Sequence, residues 1–280
     1  MPWTEDPVLS KNRFCNVYRY LDRGTQYIVN RVINTNLTPQ QKFFNIYIYR
    51  IFNLDKLFDG VLWDDILYPE TFDFKKEEAR LDAHKAAGKT MYSDAYTITQ
   101  SVWCPDYGKK GKHIQVLLAM DWLAKKINAV VGDFERGNPR QQLEYLREIP
   151  MVGPFLAGQI MLDLGYAGIT KWKNNDWVVV GPGALAGLEI IFQRDSLKTP
   201  EQEALVRKLA FQQPEWFNEI LTLTGKDWRT IAFKDHNYPY LSLMDIQNSL
   251  CEYRKYVNLN RSLSDSSFRC KHRYYKGIQQ

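Results

Sequence analysis

The sequence is poor in several features at once, and each scarcity removes a class of protein. Its 280 residues include four cysteines, Cys15, Cys104, Cys251 and Cys270. They are too few and too scattered for a disulfide framework, and no Cys-x-x-Cys spacing suggests structural zinc. Reduced thiols are expected, which predicts an intracellular, cytoplasmic protein. No apolar run approaches the roughly 20 residues of a membrane span, and Met1-Pro2-Trp3-Thr4-Glu5-Asp6 lacks the basic-then-apolar order of a signal peptide. No membrane partner is expected. Alternating strand patterns are rare. Gly153-x4-Gly158 is not followed by Lys and Ser or Thr, and Gly181-Pro182-Gly183-Ala184 has neither the length nor the lysine of a phosphate-binding loop, so nucleotide-kinase chemistry is not expected. Nor is one sign of charge dominant. The net charge of +5 and a pI near 8.8 allow a polyanionic partner without requiring one.

What the chain has in abundance is helix signal. At 45% hydrophobic and 14% aromatic residues it can bury one large core or two small ones. From Ser10 the apolar positions Phe14, Val17, Tyr18, Leu21, Ile28 and Ile33 keep helical spacing and predict a long helix. Its other side carries Asn16, Arg19, Arg23, Gln26 and Asn30, with Asp22 beside them. Forked donors and amides of this kind suit a base edge, a phosphate or a carboxylate; the alternative is a buried polar network tying helices together. Thr38-Pro39-Gln40-Gln41 combines an N-cap, a proline at the first helical position and a glutamine that can close a capping box. The helix it opens is apolar except for Asn45, Arg50 and Asn53.

Asp64-Asp65 reads either as a metal ligand pair or as a solvated helix start, and with no convincing ligand set elsewhere no metal and no cofactor is expected. Glu77 to Lys85 is a surface helix ended by Gly88. Lys109, Lys110 and Lys112, in a Gly-rich loop with Trp103 and Tyr107, would meet a nucleic-acid backbone and stacked bases or else form a surface loop. Ile114 to Val131 has the pattern of a core helix. Asn138-Pro139-Arg140-Gln141 repeats the earlier start signal and leads into a hairpin at about 140–165. There Pro150 ends the first helix, Gly153 is expected to supply the geometry of the turn, and Pro154 opens the next helix. Ile149-Pro150-Met151-Val152-Gly153-Pro154-Phe155 with Ala157 resembles the DNA-binding helix-hairpin-helix. Since a helix N-terminus offers unpaired N–H donors to an anion, Val152, Gly153 and Phe155 are candidate DNA contacts; an ordinary pair of helices is the alternative.

Past the hairpin, Asp176 lies where helix-hairpin-helix DNA glycosylases place an essential Asp. Burial near Trp172 and Trp177 is expected to raise its pKa toward that of a base. Phe155 occupies the position of the lysine nucleophile found in some members of that class, which excludes Schiff-base lyase chemistry through that residue. Gly181, Gly183, Ala184 and Gly187 form a lean face open to a ligand or a DNA backbone. Helix starts follow at Thr199 and Pro214. In the last strong helix Asp245, Asn248, Glu252 and Lys255 share one face. Together they suit positioning and deprotonating an amine; alternatively Ser242 and Asp245 form a capping box and Glu252 with Lys255 an ordinary ion pair. Residues 261–280 read as a basic, aromatic C-terminal arm.

Four separated motifs carry a more specific resemblance. Asn12-Arg13-Phe14-Cys15-Asn16-Val17-Tyr18-Arg19-Tyr20-Leu21-Asp22-Arg23-Gly24-Thr25-Gln26-Tyr27, Tyr49-Arg50-Ile51-Phe52-Asn53, Val180-Gly181-Pro182-Gly183-Ala184 and Asp245-Ile246-Gln247-Asn248-Ser249-Leu250-Cys251-Glu252-Tyr253-Arg254-Lys255-Tyr256 are similar to those of the α-glutamyl/putrescinyl thymine pyrophosphorylases. These are amino acid:DNA transferases of bacteriophages, related to the helical domain of 5-hydroxymethyluracil DNA kinases. The resemblance implies a mainly α, multi-helix fold with a helix-hairpin-helix, like that of a DNA glycosylase, as one catalytic domain over 1–260. It implies a transferase that replaces the phosphate or pyrophosphate of 5-phosphomethyl-deoxyuridine in double-stranded DNA with a free amino acid or polyamine. In that chemistry Arg19, Arg23 and Arg50 would meet the leaving phosphate, and Asn16, Gln26 and Asn53 would read the uracil edge. Asp245, Asn248 and Lys255 would hold substrate, and Asp176 or Glu252 would be the general base. A monofunctional DNA glycosylase and a non-catalytic DNA-binding module are the alternative readings.

Overall fold

The computed structural model describes residues 4–93, 111–170, 172–227, 240–265 and 267. The fold is mainly α, as the periodicities predict, and among the described residues there is no strand. The chain divides into two compact units, one of Arg23–Lys173 and one that joins Met1–Asp22 to Asn174–Gln280.

In the unit of Arg23–Lys173 the elements are α1 (Arg23–Ile28), α2 (Pro39–Phe52), α3 (Phe74–Ala86), α4 (Lys112–Arg136), α5 (Pro139–Glu148) and α6 (Pro154–Tyr166). Helix α2 is its axis. Every residue from Phe43 to Phe52 is buried, the mark of a helix covered on all sides, and α4 and α6 pack against it. At about 1.5–3 kcal/mol for each large apolar side chain removed from water, this run contributes substantially to the unit's stability. The start signals work locally as expected: Thr38 with Gln41, and Asn138 with Gln141, each complete a capping box. Polar side chains of α2 then pin neighbouring backbone, in two loops and at the start of α1. Asn45 holds both polar groups of Leu67, at 2.7 Å to its carbonyl and 3.1 Å from its N–H. The Tyr47 hydroxyl donates to the Pro150 carbonyl at 3.0 Å, and the Tyr49 hydroxyl donates to Gly24 at 2.8 Å.

That Tyr47 contact ties down the turn between α5 and α6. The two helices pack against each other as an α-hairpin, but the turn is not made by its glycine. Gly153 has φ −82°, ordinary extended backbone as the N-cap of α6, whereas Met151 takes the left-handed conformation at φ 67°.

The second unit packs α7 (Pro182–Phe192), α8 (Thr199–Thr224) and α9 (Leu243–Ser264), with α7 and α9 in the most extensive contact. The lean face of α7 explains this and corrects the expectation of an open approach. A Cβ on Gly187 would overlap the Leu250 carbonyl and one on Gly183 the Cys251 sulfur, so the backbone that approaches is α9. Helix α8 begins at Thr199 after Lys198, and Pro214 lies inside it instead of opening a new helix. The Gln213 side chain meanwhile clamps Leu241, donating to its carbonyl at 2.9 Å and accepting its N–H at 2.8 Å. No helix runs from Ser10. Residues 11–18 are irregular and helix begins only with a 3-10 turn at Arg19–Leu21, so the long helix predicted from Ser10 is absent.

Candidate functional site

An irregular segment presents backbone N–H and C=O groups that must find partners, and the polar face of α9 supplies them. Asp245 Oδ1 accepts the Arg19 N–H at 2.7 Å, the Asn248 amide donates to the Asn16 carbonyl at 3.0 Å, and Glu252 Oε2 accepts the Cys15 N–H at 3.2 Å. Lys255 Nζ donates to the Arg13 carbonyl. One step further along α9, the Tyr256 hydroxyl donates to Asp6 at 2.7 Å. Rising numbers on α9 meet falling numbers on the segment, so residues 6–19 lie antiparallel along the helix as a strap. Acids take the N–H groups, and the amide and amine take the carbonyls.

Asp245 belongs wholly to this clasp. It is 2% exposed, and its second oxygen accepts both the N–H and the hydroxyl of Ser242, at 3.0 and 2.6 Å. Ser242 and Asp245 thus form the expected capping box, and the site role predicted for Asp245 gives way to a structural one. Lys255 is likewise buried. Its ammonium sits 3.5 Å from Glu252 and 4.0 Å above the Phe14 ring; burial lowers its pKa, and the Glu252 charge opposes that shift.

Glu252 differs from both. It stands at the edge of a hollow of about 250 Å³ between strap and helix, whose walls are Leu9, Phe14, Cys15, Asn16 and Val17 on one side and Asn248, Ser249, Glu252, Tyr253 and Tyr256 on the other. Ser249 Oγ is shut off from solvent, with no hydrogen-bond partner among the described residues. Burial, reinforced by the Glu252 charge, pushes the Cys15 thiol up to about 12, which makes it a neutral packing group and not a nucleophile. The side chain of Asn16 turns back to accept the Tyr18 N–H at 2.9 Å. Phe14, Cys15, Ser249, Tyr253 and Tyr256 line the hollow although the residue reading assigned them no role. The signal was available: 249, 252, 253 and 256 repeat the three-and-four spacing of the polar face beside them.

The other predicted site residues lie elsewhere. Arg19 is nearly buried and pairs with Asp22 at 2.9 Å. Asp176 is exposed in the turn before α7, so the burial expected to make it a base is absent. Its carbonyl accepts from Arg207 at 2.7 Å, and the neighbouring Trp177 indole donates to Glu203 at 2.7 Å.

In the unit of Arg23–Lys173, Arg50 is sealed. Its guanidinium is 1% exposed and grips Asp163, itself fully buried, through two bonds of 2.6 and 2.7 Å. A fork closed on a buried carboxylate cannot meet a substrate phosphate, which corrects that expectation. Asn53 caps α2 in the left-handed conformation and donates to the Ser93 hydroxyl at 2.9 Å. Gln26 is half-buried on α1. Arg23 pairs with Asp55 yet is 65% exposed. At the hairpin the Val152 side chain is buried, while Gly153 is exposed with open space where a side chain would be; Phe155 is half-buried. Lys112 starts α4 with its ammonium 4.3 Å above the Tyr92 ring. Lys109, Lys110 and most of the C-terminal arm lie outside the described residues. Asp64 and Asp65 each take a salt bridge from an arginine, Arg80 and Arg31. Among the described residues no cluster of His, Cys, Asp and Glu is disposed to hold a metal ion, and no helix is long and apolar enough to cross a membrane.

The family model of the helical domain of 5-hmdU DNA kinases matches residues 1–264, which takes in the strap, the hairpin and all of α9. The chain belongs to this helical-domain family. It is also 31% identical over 209 residues to a 5-hmdU DNA kinase of Bacillus phage SP10. That alignment covers 69% of this chain and 32% of the relative, so the chain spans about a third of the curated relative it matches. No solved structure matches it significantly.

Proposed function

We propose that the chain is a DNA base-modifying transferase, which replaces the phosphate or pyrophosphate on the 5-hydroxymethyl group of a modified deoxyuridine in double-stranded DNA with the nitrogen of an amine. The observation that carries this reading is the hollow on α9, where the Glu252 carboxylate and three aromatic rings line a place the fold does not fill. The relative supports it chemically: a 5-hmdU DNA kinase leaves a phosphorylated hydroxymethyluracil in DNA. The shared third is the helical domain, and this chain lacks a phosphate-binding loop, so the common part suits the shared modified base better than phosphoryl transfer.

The chemistry assigned to the site is a displacement. Glu252 takes a proton from the incoming ammonium. The freed nitrogen lone pair then forms the bond to the 5-methylene carbon as the carbon–oxygen bond to the phosphate breaks, and the phosphate departs with that electron pair. Asn16, at the rim of the hollow, reads the uracil edge once the base leaves the stack. The exposed N-terminus of α6 at Gly153 grips a backbone phosphate.

Mass spectrometry of nucleosides tests this after incubation of phosphomethyl-uracil DNA with a panel of amines. The expected result is an amine-substituted thymidine in intact strands. Abasic sites would instead mark a glycosylase, and binding with a steep salt dependence but no turnover would mark a DNA-binding module; either overturns the proposal.

A further inference from the structure

The core-facing stripe of α8 outruns its core. Val206, Leu209 and Gln213 are the buried residues of this helix, and their alternating steps of three and four continue through Trp216, Ile220 and Leu223, so all six lie along one side. Beyond Gln213, however, no residue of α8 is buried. Trp216 is 38% exposed, Ile220 42% and Leu223 76%. A face that is core in the first half of a helix and keeps its apolar side chains in water through the second half is a face that something else covers. We infer that the last three turns of α8 pair, antiparallel and about a two-fold axis, with the same turns of a second copy of this chain.

Charge selects both the occupant and its direction. Glu215 and Glu219 are exposed on the flank of the stripe, Glu219 between Trp216 and Leu223, and Lys226 is exposed just past the Gly225 that caps the helix. Two copies running the same way would set glutamate against glutamate and lysine against lysine. Running opposite ways, each copy lays its Lys226 beside the turns that carry the other's Glu215 and Glu219. The same arrangement brings Trp216 of each copy to the Leu223 end of the other, with both Ile220 side chains near the axis. The stripe is thus its own complement, as a two-fold interface requires. Three apolar side chains from each copy make a smaller patch than the roughly 1,200–2,000 Å² of a stable interface. The pairing is therefore reversible and depends on concentration.

Sedimentation equilibrium of the full chain, from micromolar concentrations to about 0.5 mM, tests the inference. The parent chain is expected to show a reversible monomer–dimer equilibrium within that range. Leu223→Arg puts a charge at the most exposed position of the stripe and is expected to weaken dimerisation at least about tenfold. Lys226→Glu turns attraction into repulsion in an antiparallel pair but only exchanges one like-charge contact for another in a parallel pair, and it is expected to weaken dimerisation about threefold. Both substitutions are at exposed positions, and circular dichroism checks that the variants fold. The inference is overturned if the parent chain stays monomeric throughout, which leaves the stripe to a different partner, or if either variant dimerises like the parent chain.

Discussion

Helices α2 and α9 both set polar side chains into a largely apolar sequence, and they put them to opposite uses. On α2, Asn45 and Tyr47 hold loop backbones, Tyr49 holds the start of α1 and Arg50 closes on Asp163, with every one of these side chains buried. On α9, Asp245, Asn248, Glu252 and Lys255 hold the backbone of a strap, and the work leaves Glu252 at the edge of a hollow. The difference teaches that a polar face in an apolar helix first answers a structural need, that of unladdered backbone elsewhere. Chemistry is then confined to members of the face that also border free space. By that criterion Glu252 is the group to suspect, and Arg50 and Asp245 are not.

The contrast can be broken most forcefully at the sealed pair. Arg50→Ala strands the Asp163 carboxylate in the interior and is expected to cost about 3–5 kcal/mol in urea unfolding, whereas Arg50→Met with Asp163→Leu is expected to be close to neutral. If the single variant were as stable as the parent chain, the pair would not be the buried structural element described here. Next in size, Gly187→Ala drives a methyl into the Leu250 carbonyl and should lower stability by about 1–3 kcal/mol. A null effect there would mean that α9 has room to withdraw from α7. Asp245→Ala removes the acceptor of three hydrogen bonds and should cost about 1–3 kcal/mol, with proteolysis then starting in residues 6–19; protection of that segment in the variant would show that the clasp does not hold the strap.

The smallest effect concerns acid. The Tyr256 hydrogen bond holds the Asp6 carboxyl below its usual range. A group with a depressed folded pKa contributes stability above the unfolded value of 3.8 and loses it as pH falls through the folded value. Tyr256→Phe should therefore flatten the acid limb of the stability profile below about pH 4, and an unchanged limb would remove this bond from the account.

Much of the fold was legible because it is written locally. Thr38, Asn138 and Ser242 announced their helices through caps a few residues long, and the buried run of α2 declared itself by having no polar side. The strap was not legible. Phe14, Val17, Tyr18 and Leu21 have helical spacing, yet the backbone around them is irregular because its hydrogen bonds are supplied by side chains more than two hundred residues away on α9. No local pattern records that. The polar face of α9 could be seen but not weighed, since Glu252 and Asp245 look alike until the space beside each is known. Asp176 failed for the same reason in reverse: two neighbouring tryptophans suggested burial, and the turn exposes it. Gly153 matched a turn glycine, whereas the positive φ falls on Met151.

The most direct measurement compares amine transfer to phosphomethyl-uracil DNA by two folded variants, Glu252→Gln and the Arg50→Met, Asp163→Leu pair. The account predicts that Glu252→Gln loses about 10²–10⁴-fold in rate, the usual contribution of a general base, while the double variant stays within a few-fold of the parent chain. A Glu252→Gln enzyme that transfers at the parental rate, or a double variant that loses transfer while keeping its fold, would contradict it.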